Sequence, residues 1–228
     1  MTRIRLWDWQ TRLFHWLLAL AVLMAFVSGQ IGGNWMALHG KIGVFIAALL
    51  AFRLLWGLIG STYARFRQFF PTPAKIRSYL QGDWQGNGHN PLGALSVLAL
   101  LTVLAAQVTT GLLGNDDIAF NGPLSSLIDK TLSDRLTGLH EGLAKLILLL
   151  VVVHVSAIVF YLRIKGDNLV RPMLTGWKHV PDGEDARGGG LISTLLALCF
   201  AGLVAYAASG AWIPAPPPLP PASSTPAW

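Results

Sequence analysis

The sequence predicts an all-α integral membrane protein, a four-helix transmembrane bundle with a fifth, C-terminal transmembrane helix. Of its 228 residues, 53% are hydrophobic and only 12% are charged, whereas soluble domains usually have about 25% charged residues. An α-helix needs about 20 apolar residues to cross a bilayer, because each residue adds about 1.5 Å. Five runs meet this requirement: Leu13–Ile31, Ile42–Gly60, Leu92–Leu113, Leu143–Leu162 and Leu191–Ile213.

The first run begins like a signal peptide, but we expect it to be retained. Its apolar stretch is long, Trp7, Trp9 and Trp16 lie at its start, and no Ala-x-Ala-like cleavage site follows it. Tryptophans at this position are typical of the membrane–water interface.

The distribution of Lys and Arg among the loops predicts the orientation of the spans. Basic residues precede the first span and follow the second and the fourth: Arg3, Arg5, Arg12, Arg65, Arg67, Lys75, Arg77, Arg163, Lys165, Arg171, Lys178 and Arg187. The opposite loops carry Lys130 and Arg135 among four aspartates. We therefore expect a bacterial inner-membrane protein with a cytoplasmic N-terminus and a periplasmic C-terminus. The basic loops also account for the net charge of +6, which indicates attraction to anionic membrane lipid and no nucleic-acid partner.

The composition changes after the fourth span, and this divides the chain into four parts. They are a four-helix domain (1–180), a Gly-rich flexible linker (181–190), the fifth helix (191–213) and a Pro-rich periplasmic tail (214–228). The linker predicts that the fifth helix is an appendage, so truncation after Gly183 would leave the four-helix domain intact. The tail fits either a docking segment for a partner or a disordered end.

Four of the six histidines lie in or next to the spans, where ionisable residues are costly and usually functional. His140 and His154 are 14 residues apart, which places both on one face of a helix at levels about 21 Å apart. His15 supplies a second imidazole at the inner level, and His39 one at the outer level. Imidazole pairs without thiolate or carboxylate neighbours suit bis-histidine haem better than zinc or di-iron. Because Cys199 is the only cysteine, the haems would be two non-covalent b haems.

Other residues in the spans fit a haem environment. Arg53 lies 14 residues after His39 and would meet a haem propionate at the inner level; it would otherwise extend to the inner headgroups. Glycines that could make room for a flat ring, or simply pack helices together, are Gly29, Gly33, Gly40, Gly43, Gly111, Gly138 and Gly142. Taken singly, His39 also fits an interfacial polar belt and His154 an interhelical hydrogen bond.

The segment Trp7-Asp-Trp-Gln-Thr-Arg-Leu-Phe-His-Trp16 resembles bacterial di-haem cytochrome b561 proteins and the b-type cytochrome subunits of nickel-iron hydrogenases. Four more segments add to this resemblance in the expected order: Leu38-His-Gly40, Gly88-His-Asn-Pro-Leu-Gly93, Leu139-His-Glu141 and Val153-His-Val155. The resemblance covers about residues 5–180. It implies a four-helix core with two b haems that passes electrons between a quinone pool and a partner. By position, His15 and His154 would bind the inner haem, and His39 and His140 the outer haem.

A quinol site would need groups beside a haem that accept protons and bond the quinol oxygens. Asp8, His89 and Asn90 are the candidates, although Asn90-Pro91 also fits a helix cap and His89 an interfacial or propionate contact. Gln107, Thr109 and Thr110 fit interhelical hydrogen bonds.

Three functions are compatible with the sequence. The first is an electron-transfer subunit, quinone-linked and of oxidoreductase type, that serves a periplasmic c-type cytochrome, a hydrogenase or a similar protein. The second is a self-contained quinone-linked oxidase of a small species such as superoxide. The third is a non-redox membrane scaffold or transporter, in which the histidines only make polar contacts between helices. The fifth span and tail depart from compact four-helix members of the family and favour the first function. The oligomeric state and the direction of electron flow stay open.

Overall fold

The structure, a computed structural model, describes residues 1–118 and 120–214. Over these residues the chain forms eight α-helices: α1 (Trp9–Ile31), α2 (Met36–Ile59), α3 (Phe66–Phe69), α4 (Pro73–Gln81), α5 (Pro91–Leu113), α6 (Lys130–Arg163), α7 (Val170–Thr175) and α8 (Leu191–Ala208). Three 3₁₀ turns connect them: Gly33–Trp35, Thr62–Ala64 and Ser125–Leu127. Two short strands, β1 (Thr2–Arg5) and β2 (Trp177–Val180), pair in antiparallel orientation, with Thr2 opposite Val180.

Five of these helices, α1, α2, α5, α6 and α8, are long and apolar enough to cross a membrane. This confirms the predicted class of an all-α membrane bundle with five spanning helices. Four of the five helices start before their apolar runs, because a helix begins at its N-cap and not at its first apolar residue. The fifth, α8, starts at the predicted Leu191 and ends at Ala208, before the predicted Ile213. Asp8 caps α1 by accepting from Thr11 N, and Asp129 caps α6 by accepting from Leu132 N at 3.0 Å. α6 therefore begins 13 residues before the predicted Leu143, and it ends at Arg163, one residue after the predicted Leu162.

Helix α2 lies at the centre of the bundle. It packs against α1, α5 and α8, and α6 packs against α5. Trp56 of α2 is fully buried, and its ring stacks on Phe52 with centroids 5.6 Å apart. The core around it includes Phe14 of α1 and Leu104 of α5. α1, α5 and α8 therefore lie around α2, and α6, which carries two of the histidines, lies against α5.

Helix α8 belongs to the same core and is not the appended helix that the sequence predicts. Ala197 and Ala201 are buried in the core cluster that contains Trp56, and α8 packs along α2. The Gln10 side chain of α1 also donates to Thr194 Oγ1 of α8 at 3.0 Å. Association of helices in lipid depends on close packing of small side chains and on such hydrogen bonds. Hydropathy alone contains neither kind of information, so the sequence did not predict this packing.

The predicted flexible linker, residues 181–190, is held by hydrogen bonds to the loops and to β1. Arg5 N donates to Asp185 Oδ1 at 2.6 Å, and Ala186 N donates to Arg5 O at 2.8 Å. The Tyr63 hydroxyl donates to the Glu184 carbonyl at 2.8 Å. The expectation of a free linker was therefore wrong for this segment: its backbone groups find partners in the neighbouring loops. Of the predicted Pro-rich tail, residues 215–228 lie outside the described residues.

We expect a bulky side chain at Ala197 to weaken the bundle. Ala197 is 0% exposed and Leu198, its neighbour on α8, is 54% exposed. Ala197→Phe should push α8 away from α2, since overpacking of a filled core costs about 1–3 kcal/mol. The measurement is the thermal unfolding midpoint of the detergent-solubilised protein, with Leu198→Phe as the matched control. An equal midpoint for the two variants would contradict the packing of α8 on α2.

Candidate functional site

The structure brings His39 of α2 and His140 of α6 together. Their ring centres are 6.0 Å apart and the ring planes are nearly perpendicular, at 82°. A cavity of about 70 Å³ adjoins both rings, and its lining includes Gly40, Gly43 and Phe120. We refer to His39 and His140 as the outer pair, following the orientation predicted from the loop charges.

The two outer imidazoles are oriented in the same way by different helices. His39 Nδ1 donates to the Ala25 carbonyl of α1, and His140 Nδ1 donates to the Gln107 carbonyl of α5, both at 2.9 Å. A carbonyl only accepts, so Nδ1 carries the proton in each ring and Nε2 keeps its lone pair. Metal-binding histidines are usually fixed by a second hydrogen bond of this kind. The Gln107 side-chain amide already donates to His140 Nε2 at 3.1 Å, in agreement with this tautomer.

Each outer ring also lies against a glycine, four residues after the carbonyl that it bonds. A Cβ atom on Gly29 would lie 3.2 Å from His39 Cε1, and a Cβ atom on Gly111 would lie 2.7 Å from His140 Cε1. Real side chains essentially never approach as closely as the second distance. Gly111 is therefore required for the observed position of His140, and Gly29 allows the close approach of His39.

His15 of α1 and His154 of α6 form a second pair, the inner pair. Their ring centres are 6.5 Å apart with an interplanar angle of 46°. His15 Nδ1 is buried and has no hydrogen-bond partner among the described residues. The single helix α6 thus contributes one imidazole to each pair, and the 14 residues between them correspond to a rise of about 21 Å.

The spacing within each pair fits one metal ion between two imidazoles. Two imidazoles on one metal, each with a nitrogen–metal bond of about 2 Å, have ring centres roughly 6 Å apart. Among the described residues, no group of three or more His, Cys, Asp or Glu side chains could hold a metal ion. The helices that carry the pairs, α1 with α6 and α2 with α6, are also not among the closely packed helix pairs of the described chain. A flat metal-bearing ring suits such a gap better than a compact ion does.

Arg53 of α2 supports a cofactor that carries negative charge. The residue is 3% exposed, and its Nη1 atom has no hydrogen-bond partner among the described residues. Its guanidinium lies 4.8 Å from the Phe66 ring centre and 5.9 Å from the Phe69 ring centre. A buried cation with an unbonded donor is costly, so the position fits an anionic partner such as a propionate.

Asp8, a predicted quinone contact, is occupied by structural hydrogen bonds. It caps α1, and one carboxylate oxygen accepts from Ser61 Oγ and, at 3.3 Å, from Trp56 Nε1. The residue is 6% exposed. In this arrangement Asp8 joins α1 to α2 and to the following loop, and both of its carboxylate oxygens accept structural hydrogen bonds.

His89, the second predicted quinone contact, is enclosed by aromatic rings. Its ring centre is 4.7 Å from that of Trp7 and 4.6 Å from that of Phe69, and its Nδ1 is buried without a partner among the described residues. Burial, and secondarily the charge of Arg53, lowers the pKa of His89 to about 3. The imidazole is therefore neutral at physiological pH and is poorly placed to exchange protons there.

Asn90, the third predicted contact, caps α5 and leads to two tyrosines that the sequence analysis missed. Its Oδ1 accepts from Gly93 N, and its Nδ2 donates to the Tyr161 hydroxyl of α6, both at 2.7 Å. The Tyr161 hydroxyl is also hydrogen-bonded to the Tyr79 hydroxyl of α4. Tyr161 could have been identified from the sequence, because it lies seven residues after His154 and therefore on the same face of α6. Nothing in the sequence marks Tyr79, because α4 is a short helix between spans.

Sequence reasoning also missed the Ala25 and Gln107 carbonyls, which orient the outer imidazoles. Backbone acceptors occur in every residue, so the sequence does not mark them. The predicted interhelical role is observed for Gln107 and Thr110, with Thr110 Oγ1 3.3 Å from His140 Nδ1. For Thr109 the prediction was wrong, because its hydroxyl donates to the Ala105 carbonyl of the same helix at 2.9 Å.

A comparison with protein-family models finds a match over residues 6–176 to the family described as prokaryotic cytochrome b561. The match contains all four paired histidines and Arg53, and it ends before α8. Neither the curated proteins nor the solved structures contain a match.

Proposed function

Because this chain belongs to the prokaryotic cytochrome b561 family, we propose that it holds two b haems and carries electrons across the inner membrane between the quinone pool and a periplasmic redox partner. As a member of this family, the chain is a membrane b-type cytochrome that binds haem b and takes part in electron transfer. It also favours electron transfer over a non-redox scaffold. The number of haems, the quinone and the partner are the proposed part.

The two imidazole pairs are the observation that carries the proposal. His15 and His154 would hold the inner haem, and His39 and His140 the outer haem. In the outer pair the Nδ1 hydrogen bonds leave each Nε2 atom unprotonated, and at His140 the iron would take the place of the Gln107 side-chain amide. Each bound haem would supply an iron that takes up and releases one electron. We assign the di-haem unit to residues 1–180, which include the whole family match.

The residues around the pairs would bind and orient the cofactors. Arg53 would pair with a propionate at the inner level, which would satisfy its unbonded Nη1. Gly40 and Gly43, which line the outer cavity, would let the ring approach the α2 backbone. The Ala25 and Gln107 carbonyls would prevent rotation of the outer imidazoles and so hold Nε2 toward the iron.

The loop charges support the proposed orientation of the chain in the membrane. By the positive-inside rule, the inner pair would lie near the cytoplasmic face and the outer pair near the periplasmic face. A quinone would exchange electrons on one side, and a c-type cytochrome, a hydrogenase or a similar protein on the other. The 21 Å step along α6 would then span most of a hydrocarbon core of about 30 Å.

Cofactor content and redox partners test this proposal. The full chain, purified in detergent, should release two protohaems per chain into acidified organic solvent, because no cysteine pair attaches them. Both haems should be reduced by a short-tailed ubiquinol or menaquinol and reoxidised by a periplasmic c-type cytochrome or hydrogenase preparation. One haem per chain would remove one of the two pairs from the proposal. A protein without haem, or one that no quinol reduces, would contradict it.

A further inference from the structure

A second cavity, of about 330 Å³, is lined in part by Tyr79, whose hydroxyl is hydrogen-bonded to that of Tyr161. Its lining residues are Tyr79, Leu80, Gly82, Trp84 and Lys165. They come from the end of α4, from the loop that follows it and from the residues after α6. Its volume falls within the range of small-molecule sites, about 300–1,000 Å³. None of the residues used by the histidine pairs lines it.

The direction of the hydrogen bonds around Tyr161 leaves a donor for this cavity. Asn90 Oδ1 accepts from Gly93 N, so the Nδ2 group is the end that faces Tyr161. An amide NH₂ only donates, and the Tyr161 oxygen therefore accepts. The Tyr161 proton can then be donated to the Tyr79 oxygen. In this arrangement the Tyr79 proton is free for another acceptor, and Tyr79 is one of the residues that line the cavity.

The other lining residues favour a ligand with acceptor oxygens and an apolar body. Lys165 contributes a cationic donor, and none of the lining residues carries a carboxylate. The Trp84 ring stands edge-on to Tyr79 with centroids 6.0 Å apart and offers an aromatic wall. Leu80, 70% exposed, extends an apolar edge from the cavity. A quinone headgroup, with two carbonyl oxygens on a flat ring and an apolar tail, matches these features.

The cavity is also close enough to the inner pair to be connected with it. Tyr161 lies seven residues after His154 on α6, which corresponds to a rise of about 10 Å on the same helix face. Asp8 and His89, the alternatives nearer the imidazoles, are enclosed by structural contacts.

We infer that this cavity binds the quinone headgroup, with Tyr79 donating to one quinone carbonyl and Tyr161 and Asn90 orienting Tyr79. The inference rests on the proposed quinone-linked function and names its site. Reduction of the quinone would consume two electrons, from two successive oxidations of ferrous haem iron, and two protons from water in the open cavity. Two C=O groups would become two C–OH groups, and oxidation of a quinol would run in reverse.

The test is the kinetics of haem reduction by a short-tailed ubiquinol in the purified haem-loaded full chain. Tyr79→Phe removes the donated hydroxyl and keeps the ring, and Lys165→Met removes the cation. Tyr63→Phe is the matched control, because the Tyr63 hydroxyl bonds only the Glu184 carbonyl among the described residues.

We expect Tyr79→Phe to raise the KM for the quinol about tenfold, which corresponds to about 1.4 kcal/mol. The spectrum reduced by dithionite should be unchanged, which separates a lost substrate contact from a damaged haem site.

Three outcomes would overturn the inference. Equal quinol KM values for Tyr79→Phe, Lys165→Met and Tyr63→Phe would show that the headgroup binds elsewhere. Weaker binding of vesicles containing anionic lipid, with unchanged quinol kinetics, would show that the cavity holds a lipid phosphate. Failure of every quinol to reduce the wild-type haems would contradict the proposed function itself and this site with it.

Discussion

Replacement of His140 by alanine is expected to remove one of two haems, and His39→Ala is expected to remove the same one. The two imidazoles are 6.0 Å apart, which fits one iron between them, and a b haem with a single imidazole has lost half of its protein ligation. His15→Ala and His154→Ala should each remove the other haem, for the same reason. The measurement is haem content per chain together with the reduced-minus-oxidised visible spectrum of each variant.

The pairing is tested by which variants lose the same spectral component. His179 lies exposed on β2, so His179→Ala is the matched control and should keep both haems. If His15→Ala and His39→Ala abolished the same component, the assignment of histidines to pairs would be wrong. Retention of two haems by all four variants would contradict histidine ligation.

Gly111→Ala is expected to displace the outer haem although it changes no ligand. The added Cβ would lie 2.7 Å from His140 Cε1 and 3.0 Å from His140 Nδ1. The ring would have to move, and this would break its hydrogen bond to the Gln107 carbonyl. Ligand geometry must be held within about 0.5 Å for a site to function, so we expect haem content to fall toward one per chain. The inner component of the spectrum should stay unchanged.

Gly142→Ala is the matched control for this prediction. Gly142 lies on α6 two residues after His140, and a Cβ there meets no atom within 4 Å. Since alanine is favoured over glycine in a helix interior by up to about 1 kcal/mol, this variant should be at least as stable as the wild type. Two full haems with unchanged midpoint potentials in Gly111→Ala would show that the close approach of glycine and ring is not required.

The membrane bundle and the two histidine levels were predictable because both follow from periodicity along one chain. Runs of about 20 apolar residues define the spans, and five helices of this kind are observed. The 14-residue step between His140 and His154 fixes their common face on one helix without knowledge of any partner. The resemblance carried by Trp7–Trp16 and the later histidine segments agrees with the family match over residues 6–176.

The helix starts and the role of Asp8 needed local geometry beyond hydropathy. A charged residue before an apolar run is compatible with a ligand contact or with an N-cap, and the sequence does not distinguish them. In the structure Asp8 accepts from the Thr11 backbone, Ser61 and Trp56. The residues that decide between the two roles are up to 53 positions away, so their proximity is a property of the fold.

The remaining features were decided by the tertiary structure, because they depend on backbone atoms and on contacts between distant segments. The outer imidazoles are oriented by the backbone carbonyls of Ala25 and Gln107. Every residue has such a carbonyl, so no residue type in the sequence indicates which carbonyls take this role. The packing of α8 on α2 depends on the match between Ala197 and the α2 surface, which composition does not encode. The chain from Asn90 through Tyr161 to Tyr79 joins three helices. By itself the sequence determined which groups are available and how they are spaced along each helix, and the folded chain determined which of them have free atoms left to bind a ligand.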